Sequence, residues 1–384
     1  MTQPPVTVVG GGLAGLVAAI ACAEGGAEVN LYEAHATPGG RWRATTGDYI
    51  AHQGPHVLYN NGPLWNWLAD HHLLDVRGVP ASALAGFWFR RDGRLRRTLP
   101  LGVIKLLADR RRPAPVADSY RDWATRHYGA EAARVASNMA GVVAFDADPG
   151  RLSAAFVAER LRRAFSFPAG AHYVSGGWNR LIDRLAACAR DLGVRIELDH
   201  RIEELPDSPV IIATSLAAAR MLLPEPEIPE VPSGHTVLLD VAVQARRGDA
   251  FVVSDTDEAG WLERFSAPDP SLAPPGESLI QAQLPLRPGE SKADALTRLE
   301  AMVDLALPDW RSRLTWRQDS VARDRTGALD LPGATWRERP AIDRGSGIYL
   351  VGDQMAAPGL LSEVSCTSAL TAAEAVARSR VAAL

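Results

Sequence analysis

The sequence is short of the residues that several classes of protein require. Its three cysteines, Cys22, Cys188 and Cys366, are too few and too far apart for a disulfide framework or a zinc site, so we expect a protein of a reducing compartment. Only Lys105 and Lys292 are lysines, which leaves few candidates for a catalytic lysine. No uncharged apolar run reaches ~18 residues, so no segment is predicted to span a membrane.

Charge and length exclude further classes. The formal net charge of −4 gives no electrostatic reason to expect a nucleic-acid partner. No basic and apolar leader precedes the first predicted strand, so we expect a cytoplasmic protein. The chain has 384 residues, of which 47% are hydrophobic. It is therefore long enough for two domains of ~150 residues or more, each with its own core.

The first 33 residues carry a nucleotide-binding pattern. The β-branched run Val6–Val9 predicts a buried parallel strand, and residues 10–15, GGGLAG, satisfy the pattern G-x-G-x-x-G. An Ala-rich helix is predicted over residues 16–23, followed by a second strand over 28–33 that ends at Glu33. Strand, glycine loop, helix, strand and terminal acid occur in the order of a dinucleotide-binding βαβ unit, so we predict that this stretch binds a dinucleotide.

The three pattern glycines and Glu33 each have a physical role in binding a dinucleotide. Gly10 permits the tight turn from strand to helix, Gly12 lets a pyrophosphate approach the backbone, and Gly15 lets the helix pack closely on the strand. The helix N-terminus offers unpaired N–H groups to the phosphates. Glu33 lies where a carboxylate accepts hydrogen bonds from a ribose 2′-OH.

The residues that follow this unit, together with the C-terminal end, indicate which dinucleotide the chain binds. Residues 37–41 read TPGGR and residues 53–56 read QGPH, while residues 348–353, IYLVGD, form a strand closing on Gly-Asp before a helix over 362–377. This arrangement resembles the superfamily of flavin amine oxidases, protoporphyrinogen oxidases and phytoene desaturases. Gln53 departs from the resemblance, because many of those proteins carry an acid there.

The resemblance implies an α/β fold with two interleaved domains. One is a Rossmann-like FAD-binding domain of the glutathione-reductase type, and the other is a mixed α+β substrate domain. The predicted segments are 1–80, 166–235 and 335–384 for the FAD-binding domain and 81–165 and 236–334 for the substrate domain.

The resemblance also implies non-covalent FAD and assigns residues to it. Asp353 is expected on the ribityl chain, and the backbone near Ile202 is expected beside the adenine. We interpret Cys366 as a small core residue rather than as a covalent flavin attachment. The predicted FAD-binding residues are Gly10, Gly12, Leu13, Ala14, Gly15, Glu33, Ala34, Gly39, Gly40, Arg41, Gly54, Pro55, His56, Ile202, Ala213, Gly352, Asp353 and Leu361.

Three residues are candidates for catalysis on the substrate side. His56 follows the turn that similar proteins bring to the isoalloxazine ring, although a structural histidine bonded to a backbone carbonyl is an equal alternative. His172 precedes a Gly-Gly turn and is a candidate to line the cavity, as is Trp178, which simple packing also explains. Glu363 begins the last helix, where the helix dipole by itself favours a carboxylate.

The leading functional hypothesis is an FAD-dependent dehydrogenase or desaturase that transfers a hydride from an apolar or polycyclic natural-product-type substrate to flavin N5. Residues 269–276, DPSLAPPG, resemble phytoene desaturases in particular. Amine oxidation ranks lower because neither Lys105 nor Lys292 lies on a predicted strand of the substrate domain. The alternatives are a polyene isomerase, an NAD-dependent Rossmann enzyme and a flavin-free module that binds a lipid or a protein. The electron acceptor is left open between oxygen, a quinone and NAD.

Residues 101–112 leave two interpretations open. The stretch combines apolar residues with the basic cluster Arg110–Arg112. A core helix with a solvated basic end is the one we favour. The other is an amphipathic surface that contacts a membrane or collects an apolar substrate.

Overall fold

Two large sheets, one parallel and one mixed, and a small third sheet organise the chain. The structure is a computed structural model, and it describes residues 3–166, 170–206, 209–223, 228–324 and 326–382.

The first sheet has five strands and is parallel throughout. Every residue of its central strand is buried, as the β-branched composition of residues 6–9 predicts. The strands are β1 (Val6–Val9), β2 (Val29–Tyr32), β8 (Arg195–Glu197), β9 (Val210–Ile212) and β15 (Ile348–Leu350), and they pair in the order β15, β9, β1, β2, β8.

Helices cover this sheet and bury its core. They are α1 (Leu13–Glu24), α2 (Pro63–Asp70), α9 (Trp178–Asp191), α10 (Leu216–Leu222) and α12 (Ser362–Ala382). Helix α1 packs against both α12 and α9, so the first and last helices of the chain share one core. Cys366 is fully buried there, which agrees with its interpretation as a small core residue.

The second sheet has seven strands, which pair in the order β14, β10, β13, β12, β11, β5, β6. Only the pair between β5 and β11 is parallel. The strands are β5 (Phe87–Arg91), β6 (Arg94–Arg96), β10 (His235–Gln244), β11 (Val252–Asp255), β12 (Trp261–Glu263), β13 (Glu277–Pro285) and β14 (Leu314–Arg323).

One face of the seven-stranded sheet is covered by a single long helix, α11 (Lys292–Ala306). The remaining helices of this half lie between β6 and residue 165, except for α3, which precedes β5. They are α3 (Ala81–Leu84), α4 (Leu101–Ala108), α5 (Tyr120–Tyr128), α6 (Ala130–Met139), α7 (Gly141–Ala144) and α8 (Ala154–Ala164). The apolar faces of α4, α5, α6, α7 and α8 meet in a second core cluster.

A small sheet of three strands lies between the two halves. Its strands are β3 (Leu58–Tyr59), β4 (Val76–Arg77) and β7 (Ala171–Val174), with β7 in the middle. The parallel sheet thus draws on residues 6–32, 195–212 and 348–350, and the mixed sheet on residues 87–96 and 235–323. The fold class is α/β with a Rossmann-like unit, as predicted, while the domain boundaries stay a prediction.

Local differences from the sequence analysis have physical causes. Helix α1 begins at Leu13 rather than at residue 16, because the glycine loop ends directly at the helix. Strands β5 and β6 form a hairpin, and both of its turn residues, Asp92 and Gly93, have positive φ. Strand β14 was not predicted, because its sequence LTWRQDSVAR suits the partly exposed edge of a sheet and lacks a continuous apolar face.

Helix α4 has features that each of the two interpretations of residues 101–112 predicts. Val103 and Leu106 are buried against the neighbouring helices, as in a core helix. Leu101 and Ile104, however, are 66% and 49% exposed, and Lys105 beside them is exposed as well. The outward face of α4 is therefore apolar with a basic residue. No helix within the described ranges is long and apolar enough to cross a membrane.

The membrane contact of α4 stays a prediction that vesicle binding can test. Replacing Leu101 and Ile104 together by serine removes two apolar side chains that insertion would bury, so binding to vesicles containing anionic lipid is expected to fall by about tenfold or more. Co-sedimentation measures this. Met221→Ser, at an apolar residue that is 86% exposed elsewhere, is the control. Equal loss in both variants, or no binding by the original chain, would contradict the contact.

Candidate functional site

The glycine loop after β1 allows an unusually close approach between strand and helix. A Cβ on Gly15 would lie 1.8 Å from the carbonyl oxygen of Gly10, so only glycine fits at this helical position. Gly10 has φ +108°, and a Cβ there would lie 2.7 Å from the carbonyl oxygen of Ala213. The N–H of Ala213 in turn donates to the carbonyl of Val9 at 2.8 Å. The three backbone segments therefore touch at this point.

Gly12, the second glycine of the pattern, has open space around its Cα instead of close contacts. A Cβ on Gly12 would meet nothing within 4 Å, so the backbone at the start of α1 faces open space. No side chain caps this helix N-terminus. Its first N–H groups and the positive end of its dipole are therefore available to phosphate oxygens.

Glu33 lies at the end of β2 beside this loop and is 6% exposed. Its carboxylate accepts hydrogen bonds from the N–H of Gly11 at 2.7 Å and from the N–H of His35 at 3.0 Å. The N–H of His200 donates to the Glu33 carbonyl at 2.9 Å, which brings the segment containing Ile202 next to β2. The residues predicted to contact the ribose and the adenine are thus adjacent. Ala34, which directly follows Glu33, is half-buried.

The Gly-Gly-Arg turn packs directly on the glycine loop. The N–H of Gly39 donates to the carbonyl of Gly11 at 2.8 Å, and a Cβ on Gly40 would lie 3.5 Å from the Cα of Gly12. Both residues have positive φ, at +122° and +52°. The turn therefore encloses the open space in front of Gly12 on one side.

Arg41 and Asp353 were assigned to the cofactor from opposite ends of the chain, and the structure joins them. The two guanidinium nitrogens donate to the two carboxylate oxygens of Asp353, each at 2.5 Å. The N–H of Gly352 is held by the hydroxyl of buried Ser368 at 3.0 Å, which ties this strand end to α12.

These groups fit a dinucleotide cofactor. The open backbone at Gly12 leads into uncapped N–H groups at Leu13 and Ala14, which suit the two phosphates. The buried carboxylate of Glu33 suits a ribose hydroxyl, because a carboxylate has about four acceptor sites. The N–H groups of Gly11 and His35 and the His35 ring, whose Nδ1 lies 2.6 Å from Oε1, occupy three at most. Asp353 suits a polyol, with Arg41 holding its carboxylate in place.

His56 is buried between two other rings. The His52 ring stacks on one side at 3.6 Å and the Phe265 ring at 3.8 Å, while Nδ1 of His56 lies 3.1 Å from the carbonyl oxygen of Gly54. Burial, and the neighbouring His52, hold the pKa of His56 well below its ordinary value, so the ring is neutral. The structural alternative explains these contacts, and a catalytic role stays a prediction. Pro55 is half-buried in the same turn.

The other two catalytic candidates lie around one cleft. Glu363 is 4% exposed and is held by Arg163, whose nitrogens donate at 2.6 and 3.1 Å, while the N–H of Leu360 donates to it at 2.9 Å. His172 packs its ring on Trp65 at 4.8 Å between centroids. The residues that line the cleft are Val57, Leu58, Tyr59, Leu64, Trp65, Leu360, Leu361, Ser362 and Glu363.

Sequence reasoning missed a line of polar residues across the seven-stranded sheet, which we term the polar row. It consists of Gln318, Asp240, Gln281 and Glu263, which are neighbours in register on four successive strands. The last three are at most 4% exposed and lie on the face away from α11. The signal that could have found them was the presence of Asp240 and Gln281 inside the otherwise apolar stretches TVLLDVAV and SLIQAQL.

The polar row contacts the turn that contains His56. The side-chain amide of Gln281 donates to Asp240 at 3.0 Å and to the carbonyl of His52. Nε2 of His52 accepts the N–H of Trp178 at 2.9 Å, and burial lowers the pKa of His52 to about 3. Trp178 itself is 5% exposed and packs on Trp42. Neutral imidazoles therefore face the sheet at this point.

The two carboxyl groups of the polar row are kept partly protonated near neutral pH. Burial raises the pKa of Asp240 and of Glu263 to about 7 each, although hydrogen bonds from Gln281 and from Tyr173 and Trp261 oppose the shift. Perturbed carboxyl groups on a buried face next to a predicted cofactor are typical of a substrate site.

Comparisons with known proteins agree with this geometry. Residues 8–74 match the family model of the NAD(P)-binding Rossmann-like domain. An oxidoreductase from Methanosarcina mazei is similar in structure over 97% of this chain and 100% of its own, with TM-score 0.74 and 18% identity. A proposed protoporphyrinogen oxidase from Exiguobacterium sp. 255-15 is similar over 99% and 100%, with TM-score 0.73 and 16% identity.

A third similar structure is cyclohexylamine oxidase from Brevibacterium oxydans IH-35A, which covers 99% of this chain and 100% of its own at TM-score 0.69 and 16% identity. The search of curated proteins found no match. The chain shares the fold of these oxidoreductases. The α/β fold with a Rossmann-like unit that the sequence predicts is thus confirmed.

Substitutions of Gly15 and Gly12 distinguish the packing of α1 from the predicted binding of the cofactor. Gly15→Ala forces a methyl group into the backbone of β1, so the free energy of unfolding is expected to fall by about 3 kcal/mol, more than the ~1 kcal/mol that alanine gains in a helix. Gly12→Ala places its methyl in open space and is expected to fold normally but to bind FAD about tenfold or more weakly.

Denaturant unfolding measures the first effect, and FAD titration of the apoprotein measures the second. An unchanged FAD affinity in Gly12→Ala would show that the open space in front of α1 is not the phosphate site.

The raised pKa of Asp240 predicts a pH dependence of stability. Between about pH 4 and pH 7 the folded protein keeps a proton on Asp240 that the unfolded chain has released, so this group lowers stability as the pH rises. Asp240→Asn removes that penalty. The melting temperature of this variant relative to the original chain is therefore expected to increase from pH 4.5 to pH 7.5. Asp183→Asn, at an exposed residue of α9, is the control; a pH-independent difference for Asp240→Asn would refute the shift.

Proposed function

We propose that the chain is an FAD-dependent dehydrogenase or desaturase that moves a hydride from a substrate carbon to flavin N5. The observation that carries the proposal is the cradle formed by open Gly12, buried Glu33 and the Arg41–Asp353 pair. When bound, FAD supplies the acceptor of the hydride, and the protein supplies binding, orientation and exclusion of water.

Different residues of the chain bind the cofactor, orient it and exclude water. The N–H groups after Gly12 bind the phosphates, and Glu33 orients the ribose. Arg41 fixes the Asp353 carboxylate toward the ribityl hydroxyls. The stacked His52 and His56 rings, neutral through burial, fill the space between the predicted flavin turn and the sheet and exclude water there.

An apolar or polycyclic substrate with a polar group suits the buried face of the seven-stranded sheet. The polar row on that face is surrounded by apolar side chains of one core cluster, among them Trp261, Phe265 and Leu279. Such an arrangement binds an apolar body and leaves a few polar groups to fix its orientation.

The two lysines support dehydrogenation over amine oxidation. Lys105 is exposed on α4, and Lys292 pairs with Asp319 at 2.7 Å at the start of α11, on the far side of the sheet. Neither residue lies on the strands that carry the polar row. A lysine that holds a water beside the flavin, as many amine oxidases have, therefore has no counterpart on those strands.

The first experiment is a visible absorption spectrum of the purified protein, followed by acid precipitation. Flavin bands whose colour is released into the supernatant are expected, because both Cys366 and Cys22 are buried and burial raises the pKa of each thiol. Anaerobic addition of candidate substrates should then bleach the spectrum.

Other outcomes select the alternatives. Colour retained in the pellet would show a covalent flavin, and turnover of a polyene without any acceptor would show an isomerase. A colourless protein that takes up no added FAD would refute the proposal and favour a flavin-free binding module.

A further inference from the structure

Strand β14 is a long sheet edge that no other strand covers within the described part of the chain. It has ten residues and stands at one end of the pairing order of the seven-stranded sheet. The other described edges, β3, β4, β6, β8 and β15, have two or three residues each. Natural proteins keep exposed edges short because a row of unpaired N–H and C=O groups binds another strand. The length of β14 makes it the edge best suited to a partner strand.

Alternate residues of β14 direct their backbone groups away from the sheet. In an antiparallel pair, every second residue points its N–H and C=O at the neighbouring strand. The N–H of Asp324 donates to the carbonyl of Gly234 at 3.1 Å, so the even-numbered residues between 316 and 322 face β10. Arg317, Asp319 and Val321 therefore point outward. Among the residues that the structure describes, none of these three N–H groups has a hydrogen-bond partner.

The outward residues carry opposite charges two positions apart on the face covered by α11. Arg317 donates to Glu300 at 2.8 Å, and Asp319 accepts from Lys292 at 2.7 Å. The Lys292 ammonium also lies 3.4 Å from the Asp319 carbonyl oxygen, which can accept a second bond. The side chains of Arg317 and Asp319 remain 33% and 29% exposed. Both charges can therefore take a further partner of opposite sign.

The charges select one way of pairing two copies of β14 edge to edge. When the copies run antiparallel about a two-fold axis at Gln318, Arg317 of each copy lies opposite Asp319 of the other, so the favourable pair forms twice. An axis at Arg317 or at Asp319 would place that residue opposite itself, with like charges in contact. Edge charges of a single sign, such as Arg94 and Arg96 on β6, deter pairing instead. The edge of β14 is thus complementary to itself.

We propose that this chain forms a two-fold dimer through β14, with Gln318 on the axis. The two seven-stranded sheets join into one, and the polar row continues from one copy into the other. The side-chain amide of Gln318 has no hydrogen-bond partner among the described residues, and the axis places the two amides opposite each other. At the ends of the pair, Arg323 lies opposite Arg313, which is already paired with buried Asp249 at 2.9 Å. A two-fold interface uses the same patch on both copies, so assembly stops at two chains.

Sedimentation velocity of the purified protein tests the dimer directly. A single pair of strands buries less area than a standard interface, so we expect an association that dilution reverses. Between about 1 and 100 µM protein, the average mass is expected to rise from that of one chain toward that of two. The mass of one chain at every concentration would overturn the proposal and leave the edge to a strand of another protein.

Charge reversal tests the register. Arg317→Asp places like charges opposite each other at two points and is expected to weaken the dimer about tenfold or more. Adding Asp319→Arg to this variant restores opposite charges in the same register and is expected to recover most of the affinity. Arg96→Asp, at an exposed arginine on the opposite edge of the sheet, is the control and should leave the dimer unchanged. A dimer that Arg317→Asp leaves intact would refute the register.

Cysteine cross-linking locates the axis independently, also where the charge variants fail to fold. Gln318→Cys is expected to give a disulfide between copies under mild oxidation, because opposed residues of a non-hydrogen-bonded pair lie within disulfide reach. Ser320→Cys is the control: the two copies of this position lie four residues apart along the strands, about 13 Å, which is out of reach. The original chain, with Cys22 and Cys366 buried, gives the background. Equal cross-linking of both variants, or none in Gln318→Cys, would overturn the proposal.

Discussion

The contact between Gly15 and the backbone of Gly10 is the constraint on which the site depends. It brings the N-terminus of α1 to the carboxyl edge of the parallel sheet, where Gly12 faces open space. Any side chain at Gly15 would push the helix off the strand, and the N–H groups after Gly12 would no longer share one position with Glu33. Core packing and cofactor binding thus use the same backbone approach, which is why the same loop carries three glycines with three different surroundings.

Two bidentate ion pairs fix the C-terminal segment onto this frame. Arg41–Asp353 connects the turn after β2 to the end of β15, and Arg163–Glu363 connects α8 of the helical half to the start of α12. Both carboxylates are largely shielded from water, where charge-assisted pairs are stronger and depend more on geometry than at the surface. The first pair holds two segments of the parallel-sheet half together, and the second joins that half to the helices around α8.

Buried polarity concentrates where the two halves meet. The polar row brings two carboxyl groups with raised pKa against neutral histidines. Each of these groups is costly in a packed interior unless something compensates it. Their location on one interface supports a ligand that is apolar in body and polar at defined points, as the proposed substrate class is.

The sequence alone was enough to predict the βαβ unit, the position of its three pattern glycines and the acid Glu33. These features depend on the order of residues along a short stretch and on the backbone conformations that only glycine at positions such as Gly10 and Gly15 allows. It also placed Arg41 and Asp353 in the cofactor site through the resemblance. Only the tertiary structure decided that these two pair with each other, that Glu363 belongs to Arg163, and that Asp240, Gln281 and Glu263 align on separate strands. The two ion pairs join residues that are 312 and 200 positions apart, and the alignment of the polar row depends on strand register. No local pattern encodes either relation.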